Sequence, residues 1–168
     1  ELSVLGSMII DPAAYQAVRT IISAGDYGVQ KHGWVHEAIG EAMADGHADF
    51  VTICDVLERN GRLDEAGGAA FLTHLVNIVP SSVYAEQYAQ IVRDYAQRRA
   101  YLGAASQIGK LAYDLDADVA DVRNRAESAV LACRRDNDGG VHPVADVTDA
   151  VLGAIGQPNT AVPTGVGA

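Results

Sequence analysis

The sequence predicts an all-α protein: a small helical globule, then a long antiparallel helical hairpin, then a flexible linker carrying one short helix. Three observations predict it. Apolar residues recur at spacings of three and four along most of the chain, the signature of a helix with one buried face. Strand-like alternation of useful length does not occur, and no internal repeat is visible. Capping residues, glycines and prolines break the apolar pattern at intervals that suit short helices before residue 83, while no proline interrupts Val83 to Ala112.

At 168 residues the chain can bury one core with an extension. Hydrophobic residues make up 49% of it, yet no apolar run reaches the roughly 18 residues that a membrane-spanning helix needs. No signal peptide is visible. A formal charge of −10, from 12 Lys and Arg against 22 Asp and Glu, repels a phosphate backbone, so direct nucleic-acid binding is disfavoured. The two cysteines, Cys54 and Cys133, fall on apolar helix faces and are expected as free thiols in a cytoplasmic protein. The chain opens at Glu1 without Met, as a fragment would.

The predicted elements run in this order. Glu1 to Ile10 reads as a mostly buried helix. Asp11-Pro12 restarts a second, because Asp caps free amides and Pro fits the first helical position; Tyr15, Val18, Ile21 and Ile22 line its face. Gly25 to Lys31 is a loop. His32 to Asp45 is a third helix, with Val35, Ile39, Ala42 and Met43 inward and Gly46 closing it. In the stretch Asp49 to Leu75, Thr52 with Asp55 predicts a capping box and a helix from Ile53, stopped by Asn60-Gly61. Leu63 returns to the core, Gly67-Gly68 permits a close turn, and Phe71, Leu72, Leu75 and Val76 mark the next helix, ended by Pro80. Ser81 or Ser82 caps the helix after it.

The hairpin's first arm carries Tyr84, Tyr88, Ile91 or Val92, Tyr95, Leu102, Ile108 and Ala112 as an apolar stripe. About 28 helical residues make a rod of roughly 42 Å. Asp114 to Asp118 is an acidic turn, and Val119, Val122, Ala126, Ala129, Val130 and Cys133 carry the stripe back. The arms hold more apolar surface than they can bury on each other, so the stripe is expected to pack on another subunit. Tyr84, Tyr88 and Tyr95 fit a core and a subunit interface equally; taken as an interface, the stripe uses Tyr88, Ile91, Val92, Tyr95, Leu102, Val122 and Val130. Composition breaks at Asp136 to Gly140. The expected organisation is a globule over 1–82, a hairpin over 83–135 and a linker over 136–168, where Val147, Val151, Leu152 and Ile155 form the docking face of a short helix.

Candidate chemistry is thin. His32 and His36 stand one turn apart, but Gly33 occupies the place where the helical zinc motif needs Glu, and no further ligands lie nearby. His32 therefore reads as a loop or cap residue and His36 as a helix-surface one. Gly103 to Leu111 imitates a phosphate-binding loop with five residues between the glycines instead of four, and Leu111 replaces the hydroxyl that would hold magnesium. Its small residues read as a close approach of two helices. Arg93, Arg98 and Arg99 read as a solvated face. No nucleophile-base pair or catalytic carboxylate pair emerges from spacing, and no catalytic, cofactor or metal residue is assigned.

Taken in order, Glu1, Val4-Leu5-Gly6, Asp26-Tyr27, His32, Asp49-Phe-Val-Thr, Leu57, Gly61-Arg-Leu63, Gly67-Gly68, Phe71-Leu72, Leu75, Pro80-Ser81, Tyr88-Ala89, Ile91-Val92 and Ala161 to Val166 resemble the amino-terminal domain and linker of DnaB-type replicative helicases. Tyr27-Gly28, Lys31 and Val83-Tyr84 depart from the family's usual residues. The resemblance implies a homo-oligomer of dimers within a hexamer, a collar that receives primase and a helicase loader, and a linker helix seated on the neighbouring subunit. It implies ATP and magnesium as cofactors of the parent helicase, with DNA handled by a motor domain beyond Ala168. A competing reading is the helicase-binding adaptor domain of a primase-like protein, which resembles the same fold; a metal hydrolase using His32 and His36 is a third.

Overall fold

The computed structural model describes residues 1–134 apart from His47 and Pro80. Every regular element among the described residues is helical. In chain order they are α1 (Leu2–Ile10), α2 (Pro12–Val18), a 3-10 turn (Ala24–Asp26), α3 (Gln30–Ala44), α4 (Phe50–Arg59), α5 (Leu63–Ala66), α6 (Gly68–Ile78), a second 3-10 turn (Ser82–Tyr84), α7 (Ala85–Tyr113) and α8 (Val119–Leu131). The residues Glu1–Cys133 form one compact unit.

The core is built around α1. Val4, Leu5 and Met8 are wholly or almost wholly buried, and the helix packs against α2, α3, α6 and α7. Gly6 lets α6 come that close: a Cβ built there would lie 2.2 Å from the Leu75 carbonyl oxygen and 2.6 Å from the Val79 side chain, so two helix backbones meet where only glycine fits. Ile39, Ile53, Leu57, Leu72 and Leu75 close the core around it, and each such side chain contributes about 1.5–3 kcal/mol of apolar burial.

Local chemistry sets the helix ends. The Asp11 carboxylate accepts from the Ala13 amide and Pro12 opens α2, as the sequence predicts. At α4 the cap differs from expectation. Asp49, not Thr52, is the N-cap: its carboxylate accepts from the Thr52 amide at 2.7 Å and from the Thr52 hydroxyl at 2.8 Å. The helix therefore begins at Phe50, three residues before Ile53, because the Asp49 carboxylate accepts from the Thr52 amide and so satisfies a free amide of the first turn one turn earlier. Gly61, Gly67 and Gly68 all adopt positive φ (66°, 107° and 69°), as turns at these points require. Ser81 caps the second 3-10 turn by accepting from the Val83 amide.

The 29 residues of α7 make a rod of about 43 Å. Its first half lies on α1, α2 and the Ala24–Asp26 turn, and its second half pairs with α8, whose principal neighbour is α7. The helical hairpin is thus present, with its acidic turn between Asp114 and Asp118. Cys54 and Cys133 are free thiols. No helix among the described residues is long and apolar enough to cross a membrane.

Candidate functional site

The expected apolar stripe of α7 does not face the core. The buried positions are Ala85, Ala89, Val92 and Ala96, then Ala104 and Leu111 under α8. Relative to Tyr84, Tyr88, Ile91 and Tyr95 this face is displaced by one residue, about 100° around the helix. Small side chains win the inner face because α7 lies directly across α1 and α2, leaving no depth for tyrosines. Ile91, Tyr95 and Leu102 therefore stand at the surface, 54%, 57% and 71% exposed. Tyr88 is partly buried against the core, 6.5 Å ring to ring from exposed Tyr84. Val92 belongs to the chain's own core at 4% exposure, which corrects its assignment to an interface.

On α8, Val122 is half-buried and Val130 exposed. Ile108, Ala126, Val130 and Leu131, with Glu127 at the rim, line an open apolar groove of about 510 Å³ between the two arms. Tyr101, Tyr113 and Leu131, not singled out from the sequence, add to the exposed apolar surface. Gly103 and Gly109 do not mediate a helix contact: a Cβ on either would meet nothing within 4 Å, and neighbouring Ala104 takes the inward place. Val147, Val151, Leu152 and Ile155 lie outside the described residues.

Around the start of α3 sits a polar knot that sequence reasoning disperses. His32 and His36 are both buried, not at a loop and a surface. His32 lies in the first turn of α3, with Nδ1 2.5 Å from the Glu1 carboxylate and its ring stacked on Phe71 at 5.8 Å. The Glu1 carboxylate also accepts from the Gly28 amide at 2.7 Å. Partial burial pushes the Glu1 acid up, but the hydrogen bonds from His32 and Gly28 outweigh it and hold the carboxyl below its ordinary value. His36 Nδ1 lies 3.1 Å from the Tyr27 hydroxyl. Burial lowers the His36 pKa against a smaller opposing pull from Glu37, and burial, aided by the Glu1 charge, raises that of the Tyr27 phenol. Both groups stay neutral near pH 7, and the imidazole tautomer sets which of the two donates in the bond between them. Among the described residues no group of three or more His, Cys, Asp or Glu is arranged to hold a metal ion.

What this geometry defines is an all-helical globule with a projecting two-helix arm that carries exposed apolar side chains. The chain belongs to the family described as the DnaB-like helicase N-terminal domain, whose profile matches residues 1–94. It is similar to the replicative DNA helicase DnaB of Leifsonia xyli (30% identity over 158 residues, covering 94% of this chain and 34% of the relative). It also resembles that of Mycobacterium leprae (35% over 133 residues, 77% and 22%). The chain thus spans about a third or less of the length of these relatives. In three dimensions it is similar to the N-terminal domain of DnaB helicase from Mycobacterium tuberculosis, with a TM-score of 0.75, 34% identity, and 78% of this chain and 93% of that one covered. A DnaB-like replicative helicase studied with its primase interactions shares the fold at a TM-score of 0.61 and 22% identity, covering 93% of this chain and 35% of that one.

Proposed function

We propose that this chain is the collar and linker of a ring-shaped replicative DNA helicase, organising subunits and partners rather than performing chemistry. The observation that carries this is the outer face of the hairpin. Ile91, Tyr95 and Leu102 on α7, with Val130 and Leu131 on α8, remain exposed after the chain has folded, and so many large apolar side chains left outside on two paired helices support an association surface. The surface is used between copies of the chain, as dimers within a hexamer. In this reading the globule of 1–82 supports the hairpin of 83–135, and the linker of 136–168 seats Val147, Val151, Leu152 and Ile155 on an adjacent subunit.

ATP and magnesium serve the parent protein's motor, and DNA is engaged there, which accords with the −10 charge of this stretch. Primase is the partner proposed for the assembled collar, supported by the name of the structural relative studied with primase, with a helicase loader as a further partner. Light scattering on the purified chain tests the association: a dimer or larger species is expected, and Tyr95→Asp or Leu102→Asp is expected to reduce it while leaving the helical circular dichroism intact. A monomer at high concentration overturns the reading.

A further inference from the structure

The point at which α7 leaves the globule is marked by two side chains two residues apart. Gln97 donates from Nε2 to the Cys133 carbonyl at 2.6 Å, tying α7 to the returning end of the hairpin. Arg99 donates from Nη2 to the Asp26 carbonyl at 2.5 Å, tying it to the loop below α1. Upstream, the face pressed on the globule is Ala85, Ala89, Val92 and Ala96. Three alanines and one valine make a smooth, shallow ridge. Such a face permits close approach but interdigitates little, with Tyr88 at its edge partly buried against the core.

The Arg99 guanidinium is held on a surface shaped for it. A Cβ on Gly28 would stand 3.2 Å from Arg99 Nη1 and 3.2 Å from the Glu1 carboxylate, so both groups flank one glycine Cα. The loop is itself fixed from the other side. Gly28 donates to Glu1, Glu1 is bound by His32, and the Asp26 carboxylate accepts from the Ser23 amide and hydroxyl. A planar cation with several donors suits such a carbonyl beside a carboxylate better than a point charge does.

We propose that Arg99 is a positioning residue that latches the base of the hairpin to loop 26–28, so that the angle at which the hairpin leaves the globule is set by this latch and not by the alanine face alone. The latch stands whether or not the hairpins pair between copies, and it can be read in a single chain. Ketone-bearing amino acids placed at exposed Val51 on the globule and Leu115 at the hairpin tip take nitroxide labels without disturbing the native cysteines. Pulsed electron–electron resonance on labelled chains diluted with unlabelled ones then measures the distance within one molecule.

The native chain is expected to give one narrow distance distribution. Arg99→Met, which keeps the aliphatic stem and removes the donors, broadens it, and Arg99→Lys restores it in part. Arg98→Met, on the same helix but with its native guanidinium over Tyr95 instead, leaves it narrow. A narrow distribution in Arg99→Met, or equal broadening in Arg98→Met, overturns the proposal. Should Arg99→Met fail to fold, Arg99→Gln decides: its shorter neutral side chain does not reach the Asp26 carbonyl that Arg99 holds, so it must broaden the distribution, and an unchanged width overturns the latch.

Discussion

Residues 1–79 and residues 100–131 treat their apolar side chains in opposite ways. In the first region Leu5, Met8, Ile39, Ile53, Leu57, Leu72 and Leu75 are at most 1% exposed, enclosed by the surrounding helices. In the second, Leu102, Tyr113, Val119 and Leu131 are all more than half exposed, and only Ala104 and Leu111 are buried. Two antiparallel helices share one seam, so each arm's remaining surface has no internal partner. Apolar content alone therefore says little about what a side chain does. In the globule it provides stability, and on the hairpin it provides a surface for a second body.

That contrast can be broken by substitution. The largest effect is expected from Leu72→Ala, where a fully buried side chain leaves a cavity; about 2–5 kcal/mol of unfolding free energy should be lost, as read by urea denaturation. Gly6→Ala comes next, at about 1–3 kcal/mol, since its methyl would collide with the Leu75 carbonyl; an unchanged midpoint would mean that α1 and α6 can separate freely. Asp49→Ala should cost about 1 kcal/mol through the lost cap of α4.

A smaller effect concerns pH. His36 has a depressed pKa in the fold because it is buried beside Tyr27 and Tyr15, which outweighs the smaller upward pull of the Glu37 charge. A depressed group contributes stability that is present above its unfolded pKa, about 6.5, and lost as pH falls through its folded value. Stability should therefore decline as pH drops below about 6.5, and His36→Gln should make that decline shallower, whatever its effect at pH 8. Equal slopes for the two proteins in denaturation series would place the proton uptake elsewhere. The smallest effect on the fold is expected from Leu102→Ala, within about 0.5 kcal/mol for the dissociated chain. A loss comparable to that of Leu72→Ala would move Leu102 into the core and erase the contrast between the regions.

Particular residues show how far the sequence can be read. Asp11-Pro12, Asn60-Gly61, Gly67-Gly68 and Ser81 mark real boundaries, because capping and positive φ are decided by neighbours in the chain. The sequence places the α4 cap three residues late because Asp49 and Thr52 both offer capping oxygens, and geometry chooses the carboxylate. His36 reads as a surface residue because nothing local announces Tyr27, nine positions earlier, folding back onto it. Arg99 groups with Arg93 and Arg98 as a solvated face, although its acceptor is 73 residues away.

The sequence by itself determined that the chain is helical, where most helices start and stop, that a long hairpin follows a small globule, and which family its ordered motifs belong to. The helices, their ends and the hairpin rest on periodicity, capping and composition, which act over a few residues; the family rests on the resemblance of residues taken in order along the chain. Only the tertiary structure decided which face of α7 is inner, and with it that Val92 is core while Ile91, Tyr95 and Leu102 are surface. On a helix whose apolar residues lie nearly all round, propensity is indifferent to rotation. The depth available over α1 and α2 selects the alanine face, and the grip on the Asp26 carbonyl places Arg99 beside it.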